Sequence, residues 1–121
     1  MQNISTTIKS GLFNADAIPF STVSDAMIST DISGCKDPIL VLIDVPQNAE
    51  GCEFSCLPAK AGFKKESIKL ESGVINGIFI TSHGYKKDNG FADFEFSAVN
   101  GGAASMGIKV AFVKQVSVIN H

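Results

Sequence analysis

The residues that could do chemistry in this chain of 121 residues are few, and the three cysteines come first. Cys52 and Cys56 have the spacing of half a metal site, but no second Cys or His pair accompanies them. In a strand, positions 52, 54 and 56 lie on one face, so both thiols are interpreted as small core hydrophobes beside Phe54. A disulfide or a metal is the weaker alternative, and all three cysteines, Cys35 included, are expected to be reduced.

The two histidines and the acidic residues of the central turn suggest no catalytic or metal site. His83 lies in a predicted turn and His121 at the end of the sequence, which argues against a Ser/His or Cys/His nucleophile pair. Asp88 and Asp93 could contribute oxygen ligands to calcium, but the ligands are few and lysines lie beside them. A solvated turn is the favoured interpretation. We therefore expect no enzyme activity, no cofactor and no metal.

The clearest structural signal is the stretch 74–97, in which two predicted strands flank a polar corner. From position 92 to 98, apolar residues alternate with Asp, Glu and Ser, which is typical of a strand with one buried face and one solvated face. Residues 84–90 are dense in turn formers, and Asn89-Gly90 can adopt positive φ at little cost. This corner and the stretch 100–102 lack the phosphate-binding pattern GxxxxGK[ST], so their glycines are interpreted as hairpin glycines.

Short predicted strands recur about every ten residues from position 37 onward, with turn signals between them. The first is apolar on both faces and is expected at the centre of a sheet, whereas Pro58 predicts an edge position or a bulge for the second. This pattern predicts an all-β fold, an antiparallel β-sandwich of immunoglobulin-like or jelly-roll-like type. The predicted strands are Ile39–Val45, Cys52–Lys60, Ser67–Leu70, Val74–Thr81, Phe91–Val99 and Ile108–Ile119. The residues expected on the buried face are Leu40, Leu42, Phe54, Ile78, Ile80, Phe94, Phe96, Val110 and Phe112.

Residues 1–34 are a different kind of sequence, rich in Ser and Thr and poor in charge. They are expected to form an extended N-terminal arm, with residues 35–121 as the sandwich domain. A short helix over Val23–Ile28 is possible, with Ser21 or Thr22 as its N-cap. Ordering such an arm costs about 1–2 kcal/mol of conformational entropy per residue, which burial of its apolar side chains must offset. The arm is therefore expected to lie against its own sandwich or against another protein, and both alternatives stay open.

Composition limits the classes of partner. The net charge of −2 at pH 7 gives no electrostatic basis for binding nucleic acid, and no basic run suggests an anionic membrane. The longest apolar run, from Ile39 to Ile43, is too short to span a bilayer. The first residues lack the continuous apolar block of a secretory signal. Synthesis in a reducing cytoplasm is the expectation that follows.

The order of predicted strands and loops from Pro38 onward resembles that of a known family of proteins. A strand of the PILVLIDV kind is followed by an Asn-containing loop, a second strand and a short Lys-rich connection. A later strand ends in TSHGYKKDNG, residues 81–90, a corner of Ser, Tyr, Asp and Gly with Asn89 between Asp88 and Gly90. A final strand with Lys and Val completes the pattern. Over about two-thirds of its length the chain resembles the small capsid decoration, or cement, proteins of tailed phages.

The resemblance implies a structural virion protein that binds the major capsid protein non-covalently on the outside of the shell and stabilises it by bridging capsomers. It implies neighbouring copies on that shell or a homo-oligomer, and synthesis in the host cytoplasm. The alternatives are another virion subunit, of a tail tube or a fibre, and an extracellular adhesion or binding module; a small hydrolase has the least support. The residues expected to contact a partner, taken from the arm and the corner, are Leu12, Phe13, Ile18, Phe20, Tyr85, Lys86 and Lys87.

Overall fold

The structure, a computed structural model, describes residues 4–6, 19–49, 51–98 and 107–113, and for Ile4–Thr6 and Ala98 the backbone alone. Within these ranges the chain forms strands and turns without a helix. The strands build two antiparallel sheets that pack face to face, so the predicted all-β sandwich is confirmed. The strands are β1 (Ile4–Thr6), β2 (Ser21–Thr22), β3 (Met27–Asp31), β4 (Ile39–Asp44), β5 (Cys52–Cys56), β6 (Glu66–Lys69), β7 (Ile75–Ile80), β8 (Phe91–Ala98) and β9 (Lys109–Val113).

The larger sheet has five strands in the order β1-β7-β4-β9-β2. Its central strand β4 is hydrogen-bonded to β7 on one side and β9 on the other, as its apolar sequence predicted. Val41 and Ile43 face the second sheet and belong to the main core. Leu40 and Leu42 are also buried, but they form a separate apolar cluster on the opposite face.

The smaller sheet has four strands in the order β3-β8-β5-β6. The alternation along β8 has the predicted effect, since Phe94 and Phe96 are buried while Asp93 and Glu95 are only partly so. Phe54 of β5 packs against both rings, with centroid distances of 5.4 Å to Phe94 and 5.3 Å to Phe96. These phenylalanines fill the space between the sheets.

Two local predictions are wrong. Val23–Ile28 is not a helix: the amide of Val23 donates to the carbonyl of Ile108, and Met27 begins β3, which pairs with β8 along its whole length. Pairing with β8 satisfies the backbone of this segment better than one helical turn would. The second error concerns Pro58. The strand ends at Cys56, before the proline, and β5 is an inner strand between β8 and β6.

The residues predicted to share one buried face lie on two different faces of the larger sheet and in the smaller sheet. Phe54, Ile78, Ile80, Phe94, Phe96 and Val110 belong to the main core, and Phe112 is partly buried against it. Leu40 and Leu42 are correct as buried residues but wrong as members of that face. A strand that is apolar on both faces carries no signal that distinguishes its inner residues from its outer ones.

Candidate functional site

Two loops meet at one end of the sandwich and form what we call the corner, residues 57–65 and 81–90. The first loop links β5 to β6 in the smaller sheet, and the second carries the chain from β7 in the larger sheet to β8 in the smaller one. The two loops are joined through Gly84, whose carbonyl accepts from the amides of Ala59 at 2.9 Å and Lys60 at 3.3 Å. Gly84 is therefore not a hairpin glycine, because β7 and β8 lie in different sheets.

Aromatic packing holds the two loops together. The ring of Phe63 lies 5.1 Å from that of His83 and 5.9 Å from that of Tyr85, both edge-on. The Tyr85 hydroxyl donates to the carbonyl of Lys64 at 2.9 Å. Gly84 has a φ of +86°, and a Cβ there would lie 2.3 Å from Cδ1 of Phe63. Only glycine fits this position, both for its backbone conformation and for the ring against it.

Two further attachments fix the loop 81–90. The Asp37 carboxylate accepts hydrogen bonds from the amide of Ser82 at 2.8 Å and from its hydroxyl at 2.6 Å. Near β8 the loop closes a tight turn, in which the amide of Lys87 donates to the carbonyl of Phe91 at 2.7 Å and that of Gly90 to the carbonyl of Lys87 at 3.0 Å. The corner is thus braced at both ends and in its middle.

Positive charge is concentrated in the corner, which carries five of the ten basic residues and a single acid, Asp88. Two of these lysines form ion pairs with the outer face of β8: Lys65 with Glu95 at 2.6 Å and Lys87 with Asp93 at 2.7 Å. The hydrogen bond from Lys87 lowers the pKa of Asp93 below its ordinary value, with smaller contributions from Ser29 and from the lysine charge and an opposing one from burial. The set that we call the basic corner is Lys60, Lys64, Lys65, Lys86 and Lys87.

Lys60 and Lys64 are the members of the basic corner that remain open to a partner. Both are exposed, and neither forms an ion pair with another residue in the described ranges. Their backbones are held in place, since the amide of Lys60 donates to Gly84 and the carbonyl of Lys64 accepts from Tyr85. The loop therefore presents two exposed ammonium groups, neither paired with a described carboxylate, on a backbone that hydrogen bonds hold in place.

The residues predicted to contact a partner have different environments. Tyr85 is 3% exposed and serves the packing of the corner, Lys86 is half-buried, and Lys87 is exposed but paired with Asp93. Phe20 is partly buried against the outer cluster of the larger sheet. The remaining predicted residues, Leu12, Phe13 and Ile18, lie outside the described residues.

None of the three cysteines forms a disulfide, and Cys52 and Cys56 are buried in the core. Burial, with a smaller contribution from the Glu53 charge, raises the pKa of the Cys52 thiol to about 11. Burial, with a smaller contribution from Glu66, raises that of Cys56 to about 12. Both groups are neutral thiols at physiological pH and therefore poor nucleophiles and poor metal ligands.

Other sites for chemistry are scarce within the described ranges. No three His, Cys, Asp or Glu side chains converge there into a group that could hold a metal ion. A cleft of about 220 Å³ is lined by residues of β2, β3 and β9 together with Pro19, and it contains one carboxylate, Asp31. That carboxylate accepts from the amide and hydroxyl of Ser33, at 2.9 and 2.6 Å. The same ranges contain no helix with the length and hydropathy that a membrane crossing requires.

Sequence reasoning missed the first loop of the corner. Phe63, Lys60 and Lys64 were not predicted as site residues, although the Lys-rich character of this connection was visible. The sequence does not show that these residues meet, because Phe63 and Gly84 are 21 positions apart and come into contact only in the fold.

Comparison of the chain with protein-family models, with curated proteins and with solved structures finds no match.

Proposed function

We propose that this chain is a structural protein of a tailed-phage particle, which binds the outside of the capsid without covalent chemistry and stabilises it. The basic corner is the surface that contacts the major capsid protein, through an acidic patch on the shell. The observation that supports this proposal is that Lys60 and Lys64, on a cross-braced pair of loops, are exposed and form no ion pair with any residue that the structure describes.

Rigidity is what makes this surface suited to binding. Ordering the backbone of a loose loop on association costs about 1–2 kcal/mol of conformational entropy for each residue. In the corner, the hydrogen bonds to Gly84 and the packing of Phe63 remove much of the backbone part of that cost in advance. Less of the binding free energy from the lysines is then spent on ordering the loops when the partner binds.

Charge favours an acidic protein surface as the partner. Lysines at the rim of an interface accelerate encounter and set orientation, and their effect weakens as salt rises. The outer face of β8 beside the corner carries Asp93 and Glu95, so negative charge borders the cluster of lysines on that side. A nucleic acid would require a longer basic track than one corner of a chain with a net charge of −2.

Fractionation of the natural source of the protein tests the proposal. A lysate of phage-producing cells is separated on a density gradient, and the protein is quantified by mass spectrometry against the most abundant shell protein. We expect it in the particle fraction, at a constant ratio to the shell protein across the peak.

Washing the particles separates attachment by charge from permanent assembly. About 1 M salt, at which the Debye length falls to roughly 3 Å, should release the protein while the shell stays intact. Recovery in the soluble fractions alone, or in particles of a density that matches no capsid, would show that the proposed function is wrong.

A further inference from the structure

The first loop of the corner contains a tight turn that projects from the protein. The amide of Phe63 donates to the carbonyl of Lys60 at 3.3 Å, so Ala61 and Gly62 occupy the two central positions of a β-turn. Gly62 has a φ of +90°, as the third residue of a type II turn requires. A Cβ on Gly62 would meet no atom of the described residues within 4 Å, so this side of the turn faces open space.

The tip of this turn has almost no side chain to cover its backbone. Ala61 and Gly62 are both exposed, and so are Pro58 and Ala59 just before the turn. The peptide groups of Ala61 and Gly62 form no hydrogen bond with any residue in the part of the chain that the structure describes. A partner can therefore reach these amides and carbonyls directly and supply the hydrogen bonds that they lack.

The turn is fixed at its base and carries a lysine at each end. Phe63, its last residue, packs against Gly84, whose carbonyl accepts from the amide of Lys60. Lys60 is the first residue of the turn and Lys64 follows its last one, and both side chains are exposed without an ion-pair partner among the described residues. The loop therefore presents a narrow, rigid projection with a positive charge on either side of its tip.

The second loop of the corner contains a turn of different character. The amide of Gly90 donates to the carbonyl of Lys87, which places Asp88 and Asn89 at its tip. Both residues are exposed, so this tip carries polar side chains and one negative charge. Like charges that face each other across an interface oppose binding. An acidic partner is therefore met first by the turn of the first loop and not by that of the second.

We infer that the turn Lys60–Phe63 inserts into a recess of the capsid surface whose walls carry carboxylates. This recess is the partner site of the basic corner, so the inference rests on the proposed function. A stable protein–protein contact buries about 1,200 Å² or more in total, and on a flat surface the tip of a projecting turn would touch with two small residues alone. The walls of a recess contact the sides of the turn as well, and they bring carboxylates within reach of Lys60 and Lys64. A seam between neighbouring subunits of the shell is the kind of recess that would receive it.

Added bulk at the tip tests the inference, because a recess excludes a large side chain that a flat surface accommodates. Ala61→Trp enlarges the tip without changing its charge, and Ala61→Ser is the matched control that keeps it small. Because Ala61 is exposed, both full-length variants should keep the Tm within about 2 °C of wild type. Co-sedimentation with particles washed free of the natural protein should give a Kd at least about tenfold weaker for Ala61→Trp and within about twofold of wild type for Ala61→Ser. The salt dependence of binding should be the same for all three proteins, since none of the lysines is changed.

Unchanged or tighter binding of Ala61→Trp would overturn the inference, because the contact would then be flat. Ala59→Trp, at another exposed position of the same loop, repeats the measurement if Ala61→Trp alters the Tm. Self-association of the free protein that Ala61→Trp abolishes would assign the turn to a second copy of the chain, and this result too would overturn the inference.

The variant Lys60→Glu/Lys64→Glu separates a failure of this inference from a failure of the proposed function. If that variant loses binding to the washed particles while Ala61→Trp binds as wild type does, the basic corner contacts the shell and the recess is wrong. If Lys60→Glu/Lys64→Glu binds as wild type does, or if the wild type does not bind the particles, both the proposed contact and the recess are wrong.

Discussion

Gly84→Ala tests whether Phe63 packs against position 84 and so holds the two loops of the corner together. The residue has a φ of +86°, a conformation that costs an L-amino acid about 1–2 kcal/mol. The new Cβ would also lie 2.3 Å from Cδ1 of Phe63, so the ring must leave its place against His83 and Tyr85. Overpacking of this kind costs about 1–3 kcal/mol. We expect Gly84→Ala to lower the free energy of unfolding by about 2–5 kcal/mol in total.

Gly62 provides the matched control, because its φ is +90° and a Cβ there would meet nothing within 4 Å. Gly62→Ala should therefore cost the conformational part alone, about 1–2 kcal/mol. The difference between the two substitutions isolates the contact between position 84 and Phe63.

Urea unfolding of four proteins completes the test: the wild type, Gly84→Ala, Phe63→Ala and the double variant. Once Phe63 is reduced to alanine, Gly84→Ala should cost only about 1–2 kcal/mol, so the two changes should be non-additive by about 1–3 kcal/mol. Additive costs, or a Gly84→Ala cost equal to that of Gly62→Ala, would show that Phe63 does not pack against position 84.

Three further predictions concern the core, the thiols and the ion pairs. Phe96→Ala should lower the free energy of unfolding by about 3–5 kcal/mol in chemical denaturation, because the ring is 1% exposed and its loss leaves a cavity beside Phe54; a cost below about 1 kcal/mol would contradict that burial. A thiol reagent at neutral pH should label Cys35 alone in the native protein and all three cysteines after unfolding, since burial raises the other two pKa values to about 11 and about 12; rapid native labelling of three thiols would contradict it. The pKa of Asp93 is lowered below 3.8, so its ionised form stabilises the fold above about pH 4, and that contribution is lost as the pH falls through the lowered pKa. The difference in the free energy of unfolding between wild type and Asp93→Asn should therefore shrink from pH 7 to about pH 2.5. A constant difference would contradict the ion pair with Lys87.

The strands that could be predicted from sequence are those whose local pattern agrees with their final environment. The alternation along residues 91–98 matches β8, and the apolar run of residues 39–44 matches the central strand β4. The prediction of a helix over residues 23–28 was wrong because Ser21, Thr22 and Asp25 resemble the start of a helix. The strand that pairs with this segment, β8, begins more than sixty positions later, so the local sequence gives no sign of it. Local propensity is weak beside a full ladder of strand pairs.

The site was harder to predict than the fold, because its parts are joined by contacts between distant positions. The sequence of residues 81–90 predicts that Tyr85, Lys86 and Lys87 contact a partner, but Tyr85 is buried and Lys87 is paired with Asp93. Buried polar residues were also missed. Asn76 is 1% exposed, and its amide accepts from the amide of Glu71 at 2.8 Å and donates to the carbonyl of the same residue at 2.9 Å. The structural role of Asn76 is evident only from the fold, in which its side chain hydrogen-bonds to the backbone at Glu71.

Two charge-reversal variants of equal net charge measure directly whether the basic corner binds an acidic surface of the shell. Lys60→Glu/Lys64→Glu changes the two exposed lysines of the corner that form no ion pair within the described part of the chain, and Lys69→Glu/Lys109→Glu changes two exposed lysines at the opposite end of the sandwich. Binding of each protein to particles washed free of the natural protein is measured by co-sedimentation over a range of salt concentrations. We expect a Kd at least about tenfold weaker for the corner variant and within about twofold of wild type for the control, and we expect a shallower salt dependence for the corner variant alone. Equal weakening of both variants, or unchanged binding of the corner variant, would contradict this expectation.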